Sequence, residues 1–98
     1  MKKINLMTAA LALGLIFATG ANAACFADYK AKRAAPLQLH YGVIALPDPI
    51  CGKRRKIRRN IARRISVGGW KLLNVMSVFG PEGLSQRQRS AGRFYLKY

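Results

Sequence analysis

Acid is scarce in this 98-residue chain: Asp28, Asp48 and Glu82 are its only carboxylate side chains, against 18 Lys and Arg. His40 is the only histidine and Trp70 the only tryptophan. That inventory leaves little for catalysis. Paired-carboxylate chemistry needs two acids that converge in space, and Asp28 and Glu82 lie in segments with no shared pattern. A Cys–His nucleophile would need a free thiol near His40. No glycine-rich phosphate loop is present. Gly68-Gly69 has no Gly-x-Gly-x-x-Gly pattern around it and reads as a helix stop or tight turn. The sequence points away from an enzyme and implies no cofactor, metal or catalytic residue.

Long apolar runs are also lacking after the N-terminus. The chain opens on Met1-Lys2-Lys3, continues with an apolar run from Leu6 to Phe17, and reaches the small residues Ala21 and Ala23. This is the pattern of a secretory signal, with cleavage after Ala23. The apolar run is short for a membrane span, so a retained anchor is the lesser reading. Lipidation of Cys25 is another, although Asn22 stands where a leucine-like residue is usual. Residues 24–98 then form one small domain with a thin core.

Only two cysteines remain, Cys25 and Cys51, in a compartment that permits oxidation. A disulfide between them would close a loop worth roughly 3–4 kcal/mol in the chain-entropy account. The alternatives are two free thiols or a metal pair. With only His40 as a further soft ligand, a structural zinc site is poorly supported.

What the chain does have is positive charge, +15 in total. Much of it sits in Gly52 to Ser66, where Ile57, Ile61 and Ile65 recur every four residues among Lys and Arg. On a helix these isoleucines form one stripe. Arg63 and Arg64 suit the negative end of the helix dipole, whereas Lys53 to Lys56 oppose the positive end. With like charges crowded together, the helix needs its stripe buried or an anion laid along it.

The rest of the chain reads as follows. Ala24 to Ala35 is rich in Ala and Lys and predicts a short helix or an arm, ended by Pro36. Leu37 to Leu46 alternates like a strand, with Leu37, Leu39, Tyr41, Val43 and Ala45 as the uniformly apolar set. Pro47-Asp48-Pro49 stops it. Trp70 to Phe79 is a second strand, apolar in both phases. Ser85 to Ala91 predicts one or two helical turns with Arg87 and Arg89 exposed, and Arg93 to Tyr98 a last strand. Trp70 and Phe79 are candidates for one shared core. The expected fold is α+β: a β-α-β-β domain with a three-stranded mixed sheet and one basic amphipathic helix.

An exported chain this basic predicts an anionic partner. The residues expected to make the contact are Lys53, Arg54, Arg55, Lys56, Arg58, Arg59, Arg63 and Arg64, whose guanidinium groups favour bidentate bonding to phosphate or carboxylate. Acidic proteins, glycans and lipid headgroups all fit, with location in the periplasm or outside the cell. Two alternatives stand beside this. One is an accessory envelope protein that binds another protein through Tyr95, Tyr98 and a strand edge. The other is an extracellular nucleic-acid binder that stacks bases on Trp70, Tyr41, Tyr95 or Tyr98.

Four segments, Ala27-Asp28-Tyr29-Lys30-Ala31-Lys32, Leu39-His40-Tyr41-Gly42, Gly69-Trp70-Lys71-Leu72-Leu73 and Gly80-Pro81-Glu82-Gly83-Leu84, resemble those of small exported alphaproteobacterial proteins. That group has no established activity. The resemblance covers most of residues 24–98. It implies export and carries over no ligand or site residue.

Overall fold

A computed structural model describes residue 23 and residues 25–98. The signal-peptide reading falls on residues outside this range, apart from Ala23. The first described element is β1, Cys25–Arg33, where the composition predicted a helix or arm. It is the central strand of a three-stranded sheet, between β2 (Gln38–Leu46) and β3 (Lys71–Phe79). The odd residues Cys25, Ala27, Tyr29 and Ala31 are buried on one face. Helix propensity is a weak prior, and burial between two neighbouring strands overrides it.

Placing β1 in the middle changes the sheet. Both of its pairings are antiparallel, so the sheet is antiparallel throughout and not mixed. β2 and β3 do run in the same direction, joined through the basic helix α1 (Arg54–Ile65), but β1 lies between them. The order is β-β-α-β-α, not β-α-β-β. The last element is the helix α2 (Leu84–Ala91), followed by the turn Gly92–Phe94. Arg93 to Tyr98 is not a strand. It makes one parallel bridge, Tyr95 to Val43 on the outer edge of β2.

The buried phase of β2 is the opposite of the one expected. His40, Gly42, Ile44 and Leu46 face α1 and are buried, whereas Leu37 and Leu39 are about two-thirds exposed (68% and 67%). Register explains this: Tyr29 pairs with Gly42 and Ala27 with Ile44, which puts the even residues of β2 on the odd face of β1. Both phases of this strand carry apolar residues, so hydrophobicity alone did not select one. Val43 is also buried, on the face away from α1.

Beneath α1 the sheet offers small residues. Ala27 and Ala31 pack in one cluster with Ile57, Ile61, Ile65, Ile44, Leu46 and Trp70. Alanine in the central strand leaves room for the isoleucine ridge, the large-on-small fit that fills a core. Burying each isoleucine contributes about 1.5–3 kcal/mol. Phe79 lies outside this cluster. It stacks on Phe26 on the opposite face of the sheet, ring centroids 6.3 Å apart.

α1 ends where the glycines predicted. Ser66–Gly68 tightens into a 3-10 turn, and Gly69 adopts φ 80°, a left-handed conformation that glycine takes without strain. Trp70 N–H then donates to Ile65 C=O at 3.3 Å, turning the chain into β3. Cys25 and Cys51 are joined by a disulfide that ties the start of β1 to the loop before α1. Such a bond fits an oxidising, extracellular-type environment. Among the described residues no helix is long and apolar enough to cross a membrane.

Candidate functional site: the basic helix and the open strand edge

α1 puts its isoleucines inward and its cations outward. Ile57, Ile61 and Ile65 are at most 2% exposed, while Lys53, Arg54, Arg55, Lys56, Arg58, Arg59 and Arg63 are all exposed. At 100° per residue the cations separate into two rows. Arg55, Arg59 and Arg63 point directly away from the core, with Lys56 beside them. Arg54 and Arg58 lie on the flank toward β3, and both line a groove there.

Arg64 belongs to neither row. It sits on the flank toward β2 and is half-buried. Its guanidinium donates to Ala45 C=O at 2.7 Å, to Asn60 Oδ1 at 2.9 Å and to the backbone oxygen of Tyr98 at 2.9 Å. Burial draws its pKa below the ordinary value. Of the eight expected contact residues, this one is committed inside the protein.

Acid does not offset the exposed cations. Among the described residues the one ion pair is Arg87 Nε to Asp28 Oδ2, at 3.1 Å. Asp28 is buried on the face of the sheet away from α1. It also accepts from Tyr41 Oη at 2.7 Å and Ser77 Oγ at 2.6 Å. Burial pushes this carboxyl up, but the bonds from Ser77, Tyr41 and Arg87 outweigh it and hold it below the ordinary carboxylate value. Arg87 is therefore not the free surface residue the sequence suggested; it clamps α2 to the sheet and lies over the Phe79 ring, 4.0 Å from its centroid.

The aromatic residues and the histidine are mostly internal. His40 is 8% exposed rather than a solvent-facing strand residue. Its Nε2 bonds Tyr29 Oη at 2.9 Å, and its ring stacks on Phe94 with centroids 3.7 Å apart and planes 6° apart. Burial, then the cations Arg33, Arg93 and Lys97, push its pKa down to about 4. Trp70 is 5% exposed, edge-on to His40 and covered by Arg33 at 4.1 Å. A base has no access to stack there. Tyr41 Oη is engaged by Asp28, and its pKa is pushed up to about 12 by burial and then by that carboxylate. Cys51 is taken up in the disulfide, so it is not the free thiol that a Cys–His nucleophile with His40 would need.

The two edges of the sheet differ. On β2, Val43 C=O accepts from Leu96 N–H at 2.8 Å and Ala45 C=O accepts from Arg64. Two alternate carbonyls near the end of that edge are thus capped, one by the C-terminal segment and one by α1. Among the described residues no hydrogen bond caps the outer edge of β3. Leu73, Met76 and Val78 are between 41% and 48% exposed along it. The groove between this edge and the start of α1 has a volume of about 390 Å³, with Ile57, Arg54 and Arg58 on one wall and Val75 to Val78 on the other. The expectation of a strand edge did not say which edge, because that depends on β1 lying in the middle.

Comparison of the chain with protein-family models, with curated proteins and with solved structures finds no match.

Proposed function

We propose that this protein is an exported, basic binding module for an anionic macromolecule, held in the periplasm or released from the cell. The observation that carries the reading is the division of labour on α1. Its apolar stripe is consumed by the core, yet Arg55, Arg59 and Arg63 stand in an outward row with no carboxylate partner among the described residues. Eight residues of helix span about 12 Å, so the row can meet several anionic groups of one polymer or surface at once. A helix that inserts into lipid needs its apolar face free. Here that face is buried, so α1 itself can meet a membrane only at its headgroups. The burial of Trp70 weighs against single-stranded nucleic acid, which such modules grip by stacking.

The test is retention on heparin, on vesicles with and without anionic lipid, and on duplex DNA, across a salt series. Saturable binding that weakens with salt and is lost in Arg55→Gln/Arg59→Gln/Arg63→Gln supports the reading. No binding at low salt removes it.

A further inference from the structure

The outer edge of β3 differs from that of β2, which is covered at Val43 and Ala45. β3 is a run of nine residues, Lys71–Phe79, with no proline and with charge only at Lys71. Natural sheets blunt exposed edges with charge, proline, bulges or a covering segment. β2 has such a cover in Leu96 and Arg64. β3 has no cover among the described residues; its register against β1 shifts at Met76 and Leu73, so its unpaired backbone donors and acceptors run for roughly 30 Å with two interruptions. An edge of this kind accepts another strand.

Beside it stand Arg54 and Arg58. The start of α1 borders the end of β3, so helix and strand run in opposite directions. Four residues along a helix advance about 6 Å. Two residues along a strand advance about 6.6 Å, and side chains two apart point to the same face. A strand added to β3 would therefore present two side chains, at i and i+2, at the spacing of Arg54 and Arg58. The groove between them has room for those side chains, and Ile57, Val75 and Val78 give it an apolar floor.

We infer that β3 takes an extended acidic segment of a partner protein as a fourth strand, with carboxylates at alternate positions meeting Arg54 and Arg58. The charge of the chain selects this occupant over a second copy. Each copy carries 18 basic side chains against three acids, and pairing two β3 edges would bring four guanidinium groups together with no carboxylate among them. The inference stands on a different row of arginines from the proposed anion-binding face.

The probe is a fluorescent peptide of alternating Glu and Val, titrated into the disulfide-bonded protein and read by anisotropy. Amide hydrogen exchange is followed in parallel. Binding should slow exchange at the outward-facing amides of Lys71–Phe79. The same peptide N-methylated along its length, which keeps the charge but cannot pair, should bind at least about tenfold more weakly. Arg54→Gln/Arg58→Gln should weaken binding about tenfold, and Arg55→Gln/Arg63→Gln only about twofold. Equal affinity for the N-methylated peptide overturns the inference. So does unchanged exchange in β3, or protection of β3 by self-association without peptide. Heparin binding by Arg54→Gln/Arg58→Gln reads the outward row separately, so either site can fail without the other.

Discussion

Tyr29 occupies the space that a side chain at position 42 would need. A Cβ on Gly42 would stand 2.5 Å from the Tyr29 phenolic oxygen and 2.6 Å from Cζ. The two residues are register partners on β1 and β2, and that oxygen also bonds His40. Gly42→Ala should therefore destabilise the protein by about 1–3 kcal/mol through overpacking. Urea unfolding measures it. In a Tyr29→Leu background the same change should cost less, and a double-mutant cycle reads the difference.

Asp28 holds three separate elements together: Tyr41 on β2, Ser77 on β3 and Arg87 on α2. Asp28→Ala would leave those donors without their acceptor. A loss of about 3 kcal/mol is expected. Hydrogen exchange should show α2 loosening first, because Arg87 is its tether to the sheet.

Stability should fall in two stages as pH drops. His40 titrates near 4 when folded and near its ordinary value of 6.5 when unfolded. Between those values the unfolded chain binds more protons, so stability decreases with falling pH by at most about 1.4 kcal/mol per unit. Asp28 has a lowered folded pKa, so its contribution is present above its ordinary value of 3.8 and is lost as pH falls through the lower folded value. With no other histidine in the chain, His40→Phe should flatten the first stage and leave the second. Urea midpoints measured from neutrality into acid check both.

Removing the bridge with Cys25→Ser/Cys51→Ser should cost about 2–4 kcal/mol, given a separation of 26 residues. Thermal melts of the oxidised and reduced protein test the same quantity without mutation.

Arg64 and Arg59 should separate stability from binding. Arg64→Gln loses three internal acceptors and should destabilise by about 1–3 kcal/mol, with little change in the salt dependence of heparin binding. Arg59→Gln should do the reverse: its stability change should stay within about 0.5 kcal/mol, and its salt slope should become shallower.

Some of this architecture was legible in the residues. Strands at 37–46 and 70–79, the glycine stop of the helix and the Cys25–Cys51 pairing each had a local signal that survived folding. β1 had none. Its alanines and lysines are good helix formers, and only the flanking strands make their alternation useful. The segment Arg93 to Tyr98 failed the other way: it alternates like a strand, yet Gly92–Phe94 turns and a single bridge is all that forms.

By itself the sequence determined that one face of the helix is core and the other is cationic. Isoleucines spaced by four gain by leaving water, while unpaired guanidinium groups lose heavily by doing so. Which arginine joins the interior, which phase of β2 is buried and which sheet edge stays open were decided only in three dimensions. Each depends on a partner distant in the chain: Ala45 and Tyr98 for Arg64, Tyr29 for Gly42, and β1 between the other two strands.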